Sequence, residues 1–198
     1  MGCILTCEGV FHTGYHGEDS FGCTPWLVQR LGGNVLVDSP RFNAGLADAI
    51  ENKGGVSLMV LSHIDDVGDH VRLKRFPEMR RVMHKADVMT SGDTGNVEMQ
   101  LDSDTADGQI DGLHYWDLAD DLRVLHTPGH SMGSITLLYH PSSSARKEAV
   151  AFTGDHLALS GRTGTLTGFP SNGDSIRCRS HLSNLSRGDL KFRWIGEG

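Results

Sequence analysis

The chain has 198 residues, a formal net charge of −7 with histidine neutral, and 38% hydrophobic residues. This length fits one large domain, since domains usually hold about 100–200 residues, and the apolar content is enough for one layered core. No basic stripe runs through the acidic chain, which disfavours extended nucleic acid as a partner and favours a small-molecule substrate. We therefore expect a single domain over residues 1–198 that does not bind nucleic acid.

The sequence contains no recognisable membrane span, signal peptide or transit peptide. No apolar run reaches the ~18 residues that a transmembrane helix needs. The four cysteines form neither a Cys-x-x-Cys pair nor a regular framework, which favours reduced thiols in an intracellular protein. We therefore expect a cytoplasmic or plastid location.

Short apolar runs bounded by glycine, aspartate and proline predict a β-rich fold. In chain order, the predicted strands cover residues 3–10, 25–29, 34–37, 57–61, 81–83, 97–101, 122–126, 135–140 and 149–152. The spacing of apolar residues predicts helices over 43–52, 69–75 and 181–185, and the acidic stretch 102–112 is predicted to be a solvated loop. Strands in succession, followed by strands that alternate with helices, favour a layered α/β fold over a doubly wound sheet.

Several predicted strands are followed by a histidine or an aspartate. His63, His130 and Asp155 each come soon after an apolar strand. Strand ends of this kind gather polar side chains at one edge of a sheet, which is where α/β folds place their sites. Each of these residues alone would more often be a surface or capping residue. The ordered set is a far more specific signal of a metal site.

The segment of residues 62–70 carries three further candidates. Asp65 alternates with His63 along a stretch that we predict to be extended, so both side chains point the same way. Asp69 and His70 follow at the start of the next predicted helix, where the positive end of the helix dipole suits a carboxylate. The sequence thus predicts one metal site, whose candidate ligands are His63, Asp65, Asp69, His70, His130 and Asp155. This mixture of imidazoles and carboxylates suits zinc, with iron or manganese as alternatives.

These segments resemble the successive motifs of the metallo-β-lactamase superfamily, at residues 34–41, 61–70, 126–134 and 152–156. Residues 15–22 and 63–70, the latter with the pattern HxDDVxDH, are similar to a subgroup from plants, algae and cyanobacteria. Some members of that subgroup carry a ferredoxin-like iron–sulfur domain. The resemblance spans about residues 10–194 and implies a four-layer αββα sandwich with a metal site at one edge of its two sheets.

Two departures from the superfamily pattern affect the implied site. The usual first motif is His-x-His-x-Asp-His, whereas here two extra residues separate His63 from Asp69, and Asp65 is the substitute ligand. A carboxylate in place of an imidazole shifts the preference towards iron or manganese. The family's last strand, residues 192–195 here, is normally followed by Gly-His, but residues 196–198 contain no histidine. The resemblance therefore implies a sandwich that lacks its C-terminal end, with about one metal per chain.

Three functions follow as hypotheses. In the first, the protein hydrolyses an acyl bond of the thioester or ester type through metal-activated water, as in the glyoxalase II branch, with Asp69 as general base. In the second, it is an iron-binding, redox-linked domain, because flavodiiron proteins also carry a carboxylate in the first motif and ferredoxin-fused relatives imply a redox partner. In the third, it is a weakly active or inactive truncated metal-binding domain, as the missing last motif suggests. The last ligand of a second metal would be present only if His156 or His181 replaced the missing histidine.

Overall fold

The structure is a computed structural model that describes residues 4–7, 9–16, 18, 24–73, 75–88, 93–141, 149–159, 166–168 and 192–195. The chain divides into two compact units. The first comprises residues 1–83 and 88–100, and the second comprises residues 84–87 and 101–198.

A seven-stranded sheet is the main element of the first unit. Its strands follow one another in chain order: β1 (Ile4–Cys7), β2 (Val10–His12), β3 (Trp26–Val28), β4 (Val35–Val37), β5 (Leu58–Val60), β6 (Arg80–His84) and β7 (Met99–Leu101). Strands β1 to β4 pair antiparallel, whereas β4, β5 and β6 pair parallel. The helix α1 (Ala44–Glu51) lies between β4 and β5 in the chain, as the crossover between two parallel strands requires.

Apolar side chains from the short strands and from α1 form the core of this unit. Leu27, Leu36 and Met59 come from three successive strands, and Leu46 and Ile50 come from one face of α1. All five are at most 4% exposed. The helix needs this contact, because eight residues are too few to be stable without tertiary packing.

The predicted helix over residues 43–52 is confirmed, but the one over 69–75 is wrong. Asn43 caps α1 by accepting a hydrogen bond from Leu46 N at 2.8 Å. In place of the second helix, Gly68–Leu73 forms 3₁₀ turns that are interrupted at Asp69. Gly68 is a poor helix former, and Asp69 has a ψ of 15°, outside the helical range. The predicted helix over 181–185 lies outside the described residues. Within the described part of the chain, no helix has the length and apolar character of a membrane span.

A six-stranded sheet is the main element of the second unit. Its spatial order is β15 (Phe192–Ile195), β12 (Ala149–Phe152), β11 (Ile135–Tyr139), β10 (Leu122–His126), β9 (Leu113–Ala119) and β8 (Gly108–Ile110). Neighbouring strands pair antiparallel except β12 and β15, which pair parallel. Every residue of β11 and β12 is buried, in agreement with sequences that are apolar apart from Thr136 and the Tyr139 hydroxyl. A separate antiparallel pair consists of β13 (Ala158–Leu159) and β14 (Leu166–Thr167).

Two regions differ from the strand prediction. Residues 3–10 contain β1 and the start of β2, because the chain turns at Gly9, whose φ of 77° suits glycine. The predicted loop over 102–112 contains β8, which pairs with β9 across the two-residue turn Asp111-Gly112. The φ values of 51° and 82° at these residues are those of a type I′ turn, for which Asp-Gly between two strands is a strong sequence signal.

We predict opposite effects of the same substitution at Gly112 and Gly45. Gly112→Ala should lower the free energy of unfolding by about 1 kcal/mol, because an L-residue is strained at a φ of 82°. A Cβ on Gly112 would meet nothing within 4 Å, so this cost is purely conformational. Gly45→Ala in α1 should raise the stability by about 0.5–1 kcal/mol, because alanine is the better helix former. Urea unfolding of both variants tests this, and an unchanged or more stable Gly112→Ala protein would contradict it.

Candidate metal centre

The ring of His63 is held in place from the end of β4. Asp38 has a φ of 57°, a left-handed conformation that aspartate tolerates better than most residues, and its Oδ1 accepts a hydrogen bond from Ser62 N at 2.7 Å. Ser62 Oγ in turn lies 2.8 Å from His63 Nδ1. If Nδ1 donates to this hydroxyl, Nε2 is the nitrogen that presents a lone pair to a ligand. Asp38, Ser62 and His63 are all buried, so the orientation of the ring is well determined.

Beyond His63 the chain forms a 3₁₀ turn over Ile64–Asp66, and the prediction of an extended segment is wrong. The turn brings Asp66 back beside His63, with its Oδ2 3.4 Å from His63 Nε2. A carboxylate oxygen of Asp65 also lies within 4.8 Å of a ring nitrogen of His63. The first unit thus brings the predicted pair His63 and Asp65 together and adds Asp66, which the sequence did not single out.

The second unit contains a similar pair, built by the predicted residues His130 and Asp155. His130 lies in the loop between β10 and β11 and is 8% exposed. Asp155 lies in the 3₁₀ turn Gly154–His156, directly after β12. The distance from His130 Nε2 to Asp155 Oδ2 is 3.6 Å. The two residues are 25 positions apart in sequence, so the antiparallel pairing of β11 with β12 is what brings them together.

The geometry of both pairs fits a metal ion. Their nitrogen–oxygen distances of 3.4 and 3.6 Å exceed the optimum of about 2.9 Å for an N–H···O hydrogen bond. Two ligands of a tetrahedral zinc ion, each about 2.1 Å from the metal, are separated by about 3.4 Å. Imidazole nitrogen and carboxylate oxygen are also the ligand types that zinc, iron and manganese accept. The residues present therefore fit the metal that the sequence predicts.

Asp69 and His70 interact with other residues of the first unit. Asp69 Oδ2 accepts a hydrogen bond from Phe42 N at 2.8 Å, and its Oδ1 lies 3.2 Å from Arg72 Nη1. His70 is buried, and its Nδ1 lies 3.4 Å from Arg81 Nη1. A guanidinium group beside the ring disfavours a second cation there. The assignment of these two residues to the metal site stays a prediction.

The loop that carries His130 rests on a buried carboxylate. Asp87 Oδ1 accepts a hydrogen bond from Gly133 N at 2.8 Å, and its Oδ2 accepts one from the hydroxyl of Ser131. A Cβ on Gly133 would lie 2.5 Å from Asp87 Cγ, so only glycine allows this approach. Asp87 is 5% exposed. It thus fixes the residues that follow His130, a role that the sequence gave no reason to expect.

A second group of histidines in this unit is packed against an aromatic ring. The rings of His84 and His126 stack with centroids 3.9 Å apart, and Trp116 packs edge-on against both. His126 Nε2 donates to the carbonyl oxygen of Met132 at 2.9 Å, while His84 Nδ1 accepts from Ala86 N at 3.2 Å. Burial, and after it the proximity of His126, lowers the pKa of His84 from 6.5 to about 4. His84 is therefore a neutral core residue at physiological pH.

No family model matches the sequence, and a search of curated proteins finds no relative. Solved structures do match. A metallo-β-lactamase from Cronobacter sakazakii with a HARLDQ motif is 17% identical, over 98% of this chain and 80% of that chain, with a TM-score of 0.61. BJP-1, a subclass B3 metallo-β-lactamase of Bradyrhizobium japonicum, is 16% identical, over 95% and 74%, with a TM-score of 0.59.

The chain has the metallo-β-lactamase fold. A third match, the metallo-β-lactamase GOB-18 from Elizabethkingia meningoseptica, is 14% identical over 95% of this chain and 73% of that chain, with a TM-score of 0.58. Together the matches confirm the predicted α/β fold class. At identities this low they establish the fold alone, so the function has to be argued from the side chains.

Of the two histidines considered as replacements for a last ligand, one lies within the described residues. His156 is buried, at 1% exposed, in the same 3₁₀ turn as Asp155, and its backbone N donates to Thr153 O at 3.2 Å. His181 lies outside the described residues. The replacement of a ligand by either residue stays a prediction.

We predict that the costs of Gly133→Ala and Asp87→Ala are not additive. Asp87→Ala removes the acceptor for two loop donors and should cost about 1–3 kcal/mol. Gly133→Ala should cost a similar amount, because its Cβ would collide with Asp87. In the double variant the collision is absent, so the total should fall at least about 1 kcal/mol below the sum. Denaturant unfolding of the four proteins measures this, and strict additivity would show that Gly133 and Asp87 are independent.

His84 makes the stability depend on pH. The unfolded chain protonates this histidine near pH 6.5, whereas the folded chain keeps it neutral down to about pH 4. The free energy of unfolding should therefore fall as the pH is lowered from about 6.5 to about 4, with about 2 kcal/mol lost by pH 5. His84→Phe keeps an aromatic ring against His126. Between pH 7 and pH 5 its free energy of unfolding should fall by about 2 kcal/mol less than that of the wild type. Between pH 8 and pH 7 the two proteins should change equally; equal losses at pH 5 would refute the assignment.

Proposed function

We propose that this protein is a metal-dependent hydrolase that forms one metallo-β-lactamase-like domain over residues 1–198. The observation that supports this most directly is the presence of two histidine–carboxylate pairs, one buried and one partly exposed at Asp155, with the nitrogen–oxygen spacing of neighbouring zinc ligands. Both pairs follow strands of a metallo-β-lactamase fold. Structural ion pairs between histidine and aspartate usually show shorter, hydrogen-bonded contacts.

The proposed metal ligands are His63, Asp65, His130 and Asp155. Zinc is the proposed metal, because two imidazoles with carboxylates form a typical zinc site, and iron or manganese are the alternatives. When bound, such a metal supplies Lewis acidity, which polarises a carbonyl group and makes water a better nucleophile. We expect about one metal per chain, because the hydrogen bonds of Asp69 and the guanidinium beside His70 disfavour a second metal at those two residues.

The side chains suggest a division of roles. The hydrogen-bonded series from Asp38 through Ser62 to His63 fixes the imidazole, and Asp87 fixes the loop after His130. Asp69 is the proposed general base that accepts a proton from the attacking water. A carboxylate has about four lone-pair directions, so the two hydrogen bonds of Asp69 leave it able to accept a proton.

The proposed substrate is a small molecule with an acyl bond of the thioester or ester type. An acidic chain, with a net charge of −7, disfavours polyanionic nucleic acid and fits a neutral or weakly charged acyl compound. The competing proposal is an iron-binding, redox-linked domain with a ferredoxin-like partner, which would retain iron through purification.

Metal analysis and hydrolysis assays test the proposal together. The purified protein should contain about one zinc per chain, and turnover of a model thioester or ester should disappear on chelation and return with added zinc. His130→Asn and Asp155→Asn should each reduce turnover more than about 100-fold, since even residues that only orient metal ligands contribute 10–100-fold. The exposed Asp104→Asn is the matched control and should leave turnover unchanged.

Three results would count against this function. A firm value of two metals per chain would contradict the single site. Retained iron without hydrolysis would favour the redox proposal. Metal binding without metal-dependent turnover of thioester, ester, β-lactam and phosphodiester substrates would favour a weakly active or inactive domain.

A further inference from the structure

We propose that Asp66, and not Asp69, is a metal ligand of the first unit. This inference rests on the proposed metal site and identifies a ligand that the motif resemblance does not indicate. Asp66 is 1% exposed, and its Oδ2 lies 3.4 Å from Nε2 of the equally buried His63. The pair matches His130 and Asp155 of the second unit in atom types and in distance.

The local backbone explains why Asp66 takes this position. The turn over Ile64–Asp66 is a 3₁₀ turn that begins from an extended residue, His63. The turn brings the chain back towards His63, so that Asp66 Oδ2 lies 3.4 Å from His63 Nε2. In addition, Asp66 O accepts a hydrogen bond from Ser39 N at 3.3 Å, which ties the turn to the end of β4. Asp66 is therefore fixed by its backbone on the side of the imidazole where a ligand would bind.

The charge balance supports the same conclusion. A carboxylate removed from water loses several kcal/mol of hydration, and an adjacent cation offsets that loss. A divalent ion bound to both His63 and Asp66 supplies the positive charge at the 3.4 Å separation that the structure shows. A direct hydrogen bond between the two side chains would bring them closer, to about 2.9 Å or less.

Asp69 makes structural hydrogen bonds instead. Its Oδ2 accepts a hydrogen bond from Phe42 N, and its Oδ1 pairs with Arg72, whose guanidinium also lies 5.1 Å from the Phe42 ring. These contacts link residues 68–73 to the segment before α1. Asp69 is thus a positioning residue for that segment and is at the same time available as the base proposed above.

Zinc binding by Asp66→Asn and Asp69→Asn tests the assignment on the full chain. A competition titration against a chelator of known affinity gives the dissociation constant without any measurement of activity. We expect Asp66→Asn to weaken zinc binding at least about 30-fold and Asp69→Asn to change it less than about 3-fold. Added zinc should accordingly raise the Tm of the wild type and of Asp69→Asn, and it should have little effect on Asp66→Asn.

A cysteine substitution gives a positive signal that does not depend on loss of binding. If the side chain at position 66 contacts the metal, Asp66→Cys loaded with Co²⁺ should show a thiolate-to-cobalt charge-transfer absorption. Asp69→Cys is the matched control and should show none. The absence of the band in Asp66→Cys, or its presence only in Asp69→Cys, would overturn the inference.

The same measurements separate this inference from the proposed function. If the wild type and Asp66→Asn bind zinc equally while Asp155→Asn loses it, the metal site stands and the assignment of Asp66 is wrong. If the wild type binds no Zn²⁺, Co²⁺, Fe²⁺ or Mn²⁺, both the metal site and the assignment fail. In that case the close approach of His63 and Asp66 is a structural ion pair.

Discussion

In each unit a carboxylate lies beside an imidazole, away from most of the solvent. The surrounding structure has to keep these two polar groups in place. His63 and Asp66 are almost fully buried, and His130 is nearly so. Ionisable groups are rarely buried unless an opposite charge compensates the lost hydration. A metal ion satisfies both members of each pair, since the imidazole acts as a neutral donor and the carboxylate as a charged one. The proposed metal ion would therefore compensate the charge of the carboxylates at these positions.

The fold supports these pairs by fixing the backbone around each histidine. In the first unit, Asp38 adopts a left-handed φ that leaves its carboxylate in reach of Ser62 N, and Ser62 then contacts the ring of His63. Backbone strain of this kind costs of order 1 kcal/mol and persists where the surrounding structure imposes it. In the second unit, the carboxylate of Asp87 accepts hydrogen bonds from the Ser131 hydroxyl and from Gly133 N. Each unit thus uses a buried aspartate to position the residues next to the imidazole.

The sequence predicted the β-rich layered fold, α1 and the pairs that involve His63, Asp65, His130 and Asp155, because apolar strands that end in polar residues are visible in one dimension. It missed Asp66 because residues 63–65 were predicted to be extended, whereas a 3₁₀ turn over Ile64–Asp66 brings Asp66 beside His63. It missed β8 because acidic stretches are typical of loops. The Asp111-Gly112 pair, which is typical of a tight turn between two strands, was nevertheless present in the sequence. The hydrogen bonds of Asp87 could not be predicted, since residues 44 to 46 positions apart meet there only through tertiary packing.

The contrast between Asp66 and Asp69 shows why a motif does not assign roles to its residues. Both aspartates lie within seven residues of His63, and both resemble parts of a family motif in sequence. Asp66 is buried beside an imidazole at a distance suited to a shared ligand, whereas Asp69 accepts a backbone hydrogen bond from Phe42. The 3₁₀ turn over Ile64–Asp66 brings Asp66 beside the imidazole, whereas Asp69 lies in the following 3₁₀ segment, where it accepts from Phe42 N.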